Sequence, residues 1–283
     1  MHRIHQTSSR VFLILLLIFG ALSASAQKVK EEIESGFKIT PSFAKKILKE
    51  YDFKEESRTD YYIEAYDGNQ FLLDSHPGKF KFRIKVEEDG STIQANTKAA
   101  VYPGSCEEGW KFKVREKEVG ELAASDSQES RFVEGVTQQL ELIQSGDSEA
   151  LKNQALAFNG FLSKLPVPKI EVLKKAITAP KWLFVATHSS VKKKWKAKTD
   201  VGYGKMAVSI TQAKDYVGKK FIQEKYEIEF ELKGEMSISD FKESICELMR
   251  QNEPGKGDLS PDRESAADLT LGLLKTFNPA LGF

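Results

Sequence analysis

Cysteine and histidine are scarce in this chain. Two cysteines, Cys106 and Cys246, and four histidines serve 283 residues, and neither type falls in a metal-binding or redox spacing. Also missing are a Gly-rich phosphate loop ahead of a helix, a serine nucleophile elbow, a fixed-period repeat and a low-complexity tract. These absences exclude zinc-finger, thioredoxin-like, P-loop and serine-hydrolase readings. The sequence leaves the two distant cysteines open: they pair in an oxidising compartment, or they remain separate thiols.

Long apolar runs are lacking too, apart from Val11 to Leu22. That run is too short for a comfortable membrane span, follows Arg3 and Arg10, and ends at the small-residue site Ala24-Ser25-Ala26. The pattern predicts a secretory leader over residues 1–26, a mature chain from Gln27 without a stable membrane anchor, and a periplasmic or secreted location. His2 and His5 leave with the leader, so only His76 and His188 remain and a multi-His metal centre is excluded. Net charge is equally slight. The mature chain carries 40 basic against 41 acidic residues, so no global field recruits nucleic acid and any polyanion site must be local.

What the chain does have is charge sorted by strand face. Tyr226-Glu227-Ile228-Glu229-Phe230-Glu231-Leu232 alternates apolar and acidic residues. Because strand side chains alternate sides, three carboxylates share one face about 7 Å apart. They form either a solvated surface or the acidic half of a site. The run Gly78 to Val86 repeats the device with opposite sign, placing Lys79, Lys81, Arg83 and Lys85 opposite Phe80, Phe82, Ile84 and Val86. It leads into Asp89-Gly90, a hairpin signal, and the returning run Thr92 to Lys98 ends in Lys98. Basic alternation recurs in Trp110 to Arg115 and at Lys192, Lys194 and Lys196. Faces of one sign repel along their own length, which suggests strands that curl and point opposite signs at one another. A closed barrel with a charged interior satisfies the pattern.

Between these runs lie helix signals. Thr40-Pro41 opens a helix to about Tyr51. Apolar residues at three- and four-residue spacing predict helices over about Ser127–Ser145 and Asp147–Lys164, and Ser237 caps another to about Gln251. The expected organisation is a leader (1–26), one tunnel-like domain (27–251), and a polar connection with a last helix (252–283).

In this order the motifs resemble the CYTH-type triphosphate tunnel metalloenzyme superfamily. Its opening E-x-E-x-K strand is matched by Glu32-Ile33-Glu34-Ser35-Gly36, with glycine in the lysine position. Its basic strand is matched by Phe82-Arg83-Ile84-Lys85, its hairpin partner by Asn96-Thr97-Lys98, and its R-x-E-x-E strand loosely by Arg115-Glu116-Lys117-Glu118. Lys192 to Lys196 match a second basic strand, and Glu227-Ile228-Glu229 the closing acidic strand. The resemblance implies an α+β fold: an eight-stranded antiparallel barrel with helices packed outside. It implies Lys81, Arg83, Lys85, Lys98, Lys192, Lys194 and Lys196 as phosphate ligands, and Glu32, Glu34, Glu227 and Glu229, with Glu231 nearby, as ligands of Mg²⁺ or Mn²⁺. The implied activity is binding, with or without hydrolysis, of a triphosphate or inorganic polyphosphate. The sequence also allows a non-catalytic envelope module for anionic ligands, or a lipid carrier whose charged faces are only wetted surface.

Overall fold

The computed structural model describes residues 28–66, 81–165, 183–197, 205–214, 221–232, 236–255 and 257–261. The expected leader, Lys79, His76 and the expected last helix lie outside the described residues.

Nine strands and four helices follow one another as β1 (Lys28–Ile39), α1 (Pro41–Glu50), β2 (Lys54–Tyr66), β3 (Lys81–Glu87), β4 (Gly90–Ser105), β5 (Lys111–Ala124), α2 (Asp126–Ser145), α3 (Ser148–Leu162), β6 (Leu183–Ala197), β7 (Lys205–Lys214), β8 (Phe221–Glu231), α4 (Ile238–Asn252) and β9 (Leu259–Pro261) among the described residues. All strand pairs are antiparallel, in the order β5-β4-β3-β2-β6-β7-β8-β1-β9. The sheet also returns on itself. β1 pairs with β5 through Lys28–Ser35 and with β8 through Glu34–Lys38, so eight strands form a ring of pairings, as the alternating charges predict. The expected polar connection after α4 contains the short β9, which pairs with Phe37–Ile39.

The helices start where short polar side chains meet orphan backbone amides. Thr40 Oγ1 accepts the Phe43 amide hydrogen at 3.2 Å with Pro41 at the first turn, Ser125 and Gln128 form a reciprocal capping box, and Ser237 Oγ accepts from Asp240 at 3.1 Å. Gly146 ends α2 with φ 74°, a left-handed geometry that a side chain would strain.

Two apolar clusters cover the outside of the sheet. α2 and α3 place Phe132, Val136, Leu140, Leu151 and Phe158 against Phe82, Ile84, Ile93 and Phe184 of the strands. α1 and α4 place Phe43, Ile47, Phe241, Ile245 and Met249 against Phe37, Val114, Ile228 and Phe230. Each such large side chain contributes about 1.5–3 kcal/mol on burial. With the apolar faces of β1 to β6 and β8 spent on the outer clusters, their charged faces turn inward. The two cysteines are joined: Cys106, between β4 and β5, bonds Cys246 of α4, tying the helix to the strand pair beneath it.

Two bulges decide which residues face in. One extra β6 residue, Thr187, stands between the pairs Ile63↔Ala186 and Tyr62↔His188, so Ala186 faces the outer core while His188 faces the interior. Ala99 does the same on β4, between Lys98↔Lys117 and Ala100↔Glu116.

Candidate polyanion site in the barrel interior

The interior gathers groups from β1, β2, β3, β4, β5, β6 and β8. On β3, Lys81, Arg83 and Lys85 project inward while Phe82 and Ile84 are buried outside. Arg83 is the most tightly held. Its Nη1 donates to Asp60 Oδ2 at 3.0 Å and to Tyr62 Oη at 2.8 Å, and its Nε and Nη2 donate to Gln94 Oε1 at 3.2 and 2.7 Å. Among the described residues, those four bonds use four of its five N–H groups. Burial alone would lower the Arg83 pKa, but Asp60 and Tyr62 raise it.

Asp60 is 1% exposed and accepts ion pairs from both Arg83 and, at 3.2 Å, Arg58. Burial opposes its charge, yet the two guanidiniums hold its carboxyl below the usual range. Beside it, Tyr62 stacks on His188 with ring centroids 4.3 Å apart. His188 is 2% exposed, accepts or donates with Thr187 Oγ1 at 3.0 Å, and is pushed down to about 3 by burial and by Lys81. It is therefore a neutral wall group at physiological pH.

Lys81 and Lys85 are both lowered to about 8, first by burial and then by neighbouring cations: Lys117 and Arg83 for Lys81, Arg83 and Arg58 for Lys85. Lys81 is solvent-accessible even so. Lys85 also reaches Glu121 at 3.5 Å. Glu34 and Glu227 both act on Lys81, which places the acidic strands across the interior from β3. Such a crowd of ammonium and guanidinium groups, too close for their own comfort, is chemically matched by a compact polyanion.

The acidic seam is where β1 meets β8. Glu34 pairs in register with Glu231, Gly36 with Glu229 and Lys38 with Glu227, all on the face shared with Glu32. The carboxylates do not stand alone. Lys117 Nζ contacts Glu34 Oε1, and Arg115 Nη1 lies 4.0 Å from the same oxygen. Lys194 donates to Glu229 Oε2 at 2.9 Å and Lys192 to Oε1 at 3.4 Å. Burial would raise Glu229, but Lys192 and Lys194 hold it well below the usual carboxylate range. In return Lys194 is raised against its burial by Glu229, whereas burial prevails at the more distant Lys192, which is lowered. Lys196 pairs with Glu56.

The structure brings Lys81, Arg83, Lys85, Lys192, Lys194, Glu34, Glu227 and Glu229 of the expected set to one interior, with two qualifications. Lys98 occupies the register position opposite Lys117, and its side chain lies outside the described residues. On β5 the sequence match to the acid motif fell on the wrong face. Val114 is fully buried in the outer core and Glu116 hydrogen-bonds Tyr102 outside, so the inward residues are Arg115, Lys117, Val119 and Glu121 by alternation. Arg58, Asp60, Tyr62, Gln94, Arg115, Lys117 and His188 are interior groups outside the expected ligand set. The alternation Arg58-x-Asp60-x-Tyr62 is the sequence signal that could have found three of them.

Could Mg²⁺ or Mn²⁺ sit on the seam? Carboxylate oxygens are the right donors. Yet both Glu229 oxygens face ammonium groups, as does Glu34 Oε1, and among the described residues no group of three or more His, Cys, Asp and Glu side chains is placed to hold one ion. The arrangement does not fit the metal.

No family model matches the sequence, and no curated protein does. Solved structures do match. A candidate adenylate cyclase from Bacillus halodurans aligns over 84% of this chain and 96% of its own, with 14% identity and a TM-score of 0.50. A candidate adenylyl cyclase from Hippeastrum, described as having a dominant triphosphatase activity, aligns over 85% of this chain and 95% of its own, with 14% identity and a TM-score of 0.51. At that identity the likeness is one of architecture. With its curled antiparallel sheet, flanking helices and inward charges, the chain shares the fold of these two structures.

Proposed function

We propose that this protein binds a triphosphate or inorganic polyphosphate inside its barrel, in the periplasm or outside the cell. The observation that carries the reading is the crowd of Lys81, Lys85, Arg83 and Lys117, whose lysines on β3 are driven down to about 8 by burial and by the neighbouring charges of Lys117, Arg83 and Arg58. A linear polyanion relieves that repulsion along its length. Arg83, braced by Asp60, Tyr62 and Gln94, offers a fixed guanidinium to it. Lys81 and Lys85 offer mobile ammoniums on either side. A lipid-carrying sheet would present an apolar concave face, and the inward face here is charged.

The Cys106–Cys246 bond supports an oxidising compartment, in keeping with the expected leader. Mg²⁺ or Mn²⁺ would supply bridging of phosphate oxygens and an activated water, but the carboxylates lie against lysines, so no step is derived through a metal and the reading is one of binding.

The test is calorimetric titration of tripolyphosphate into the purified chain, with phosphate release followed alongside. Saturable binding that weakens at least about tenfold in Lys81→Gln supports the reading. Absence of binding at low salt, where unscreened charges act most strongly, rejects it. Release of phosphate would extend binding to hydrolysis.

A further inference from the structure

We propose that Lys117, Lys192 and Lys194 are resident counter-cations of the acidic seam, so that the barrel holds its anionic ligand without a divalent metal. This rests on the polyphosphate-binding reading for the identity of the ligand; the role of the lysines stands by itself on geometry.

Three observations converge on it. First, two of the seam carboxylates, Glu34 and Glu229, are engaged by ammoniums: Lys117 on Glu34, Lys194 at 2.9 Å and Lys192 at 3.4 Å on the two oxygens of Glu229. A magnesium ion needs oxygens at about 2.0–2.1 Å in near-octahedral array. To take Glu229 it would have to displace two ammoniums into an interior already crowded with Lys81 and Arg83. Second, β1 and β5 depart from the family pattern at the seam, while Lys192 and Lys194 come from the matched basic strand β6. The opening motif carries Gly36 where lysine is expected, and β5 turns Lys117 inward opposite Glu32 in register. Gly36 lies directly across the ladder from Glu229, so the charge missing from β1 is supplied from β6. Third, an ammonium can serve two partners. Each carries three N–H donors, so Lys194 can hold Glu229 and still donate two hydrogens to a phosphate. A Lys–carboxylate pair then does electrostatically what a bridging metal would do, joining an acidic wall to an anionic ligand.

The experiment titrates Mn²⁺ alone, with no phosphate present, into the wild type and Lys117→Gln/Lys194→Gln, reading bound ion by electron paramagnetic resonance. Tripolyphosphate is titrated separately in EDTA. The expected result is no saturable Mn²⁺ site in the wild type, a new one in the double variant once the carboxylates are released, and wild-type tripolyphosphate binding in EDTA. Should the double variant fail to fold, Lys194→Gln alone is used, with the same expectation at Glu229. Saturable Mn²⁺ binding by the wild type, or tripolyphosphate binding abolished by EDTA, overturns the proposal, as does a folded variant that gains no Mn²⁺ site. If tripolyphosphate binds under no condition, the function reading fails, and the Mn²⁺ titration still decides the role of the lysines.

Discussion

Gly36 and Glu229 stand directly opposite each other across the β1–β8 ladder. A Cβ built on Gly36 would meet Ile228 O at 3.4 Å and Glu229 Cγ at 3.9 Å, ordinary contact distances, and Gly36 is not among the described residues with positive φ. Nothing steric demands glycine. Gly36→Ala should therefore raise stability by roughly 0.5–1 kcal/mol, the usual cost of glycine's backbone freedom, as read by urea unfolding. Gly36→Lys should fold as well and tighten tripolyphosphate binding by adding one ammonium to the interior. Weaker binding by a folded Gly36→Lys would show that β6 cannot share Glu229.

Ligand affinity should depend on alkaline pH. Lys81 and Lys85 sit at about 8 in the free protein, and a bound polyanion raises both towards the ordinary lysine value. Binding therefore takes up protons above about pH 8, so affinity is full below that point and falls as pH rises through it. Titrations at about pH 7 and pH 9.5 should show the loss. Lys81→Gln should shallow the slope and Lys81→Gln/Lys85→Gln flatten it. An affinity that holds steady across the range in the wild type contradicts this account.

Asp60→Asn should be among the most damaging single changes. It leaves the half-buried Arg58 and Arg83 without the buried carboxylate between them, and removing one partner of a buried ion pair costs up to about 3–5 kcal/mol. Because the folded-state pKa of Asp60 is lowered, its contribution is present above the unfolded value near 3.8 and is lost as pH falls below it. His188 acts in the same direction. Its folded pKa of about 3 lies under the unfolded 6.5, so protonation favours the unfolded chain and stability declines from about pH 6.5 downward. Thermal melts between about pH 7 and pH 4 should show that decline, smaller in a folded His188→Gln.

Reducing the Cys106–Cys246 bond, or replacing Cys246 by Ser, should cost about 2–5 kcal/mol. The half-cystines are 7% and 4% exposed, so reduction should be slow under native conditions and fast in urea. Identical unfolding curves with and without reductant would mean that the thiols do not pair in solution.

Much of this architecture is legible in the sequence because single strands reveal their own two faces. Lys81, Arg83 and Lys85 opposite Phe82 and Ile84, or Glu227 and Glu229 opposite Ile228 and Phe230, need no partner to be sorted. The helix caps at Thr40, Ser125 and Ser237 are equally local. What stays hidden depends on pairing. β5 carries charge on both faces, Glu116 and Glu118 outside, Arg115 and Lys117 inside, and only its ladder with β1 says which face turns in. The inward turn of His188 follows from the extra residue Thr187, a bulge without a sequence marker. Asp60 is one carboxylate among 41 acidic residues until Arg58 and Arg83 close on it. The disulfide joins residues 140 apart, a distance that spacing cannot bridge.

The splitting of β1 between two partners has a temporal side. Its first half waits for β5, and its second half waits for β8, whose residues lie nearly 200 positions further along the chain. Contacts that distant are late and slow to form, since the loop entropy must be overcome before any pairing rewards it. Until β8 arrives, the second half of β1 has an exposed edge, and among the described residues only β3 and β5 face its carboxylates. The acidic seam is therefore the last part of the interior to exist, and a chain interrupted before residue 221 would display the cations of the barrel without the carboxylates of β8.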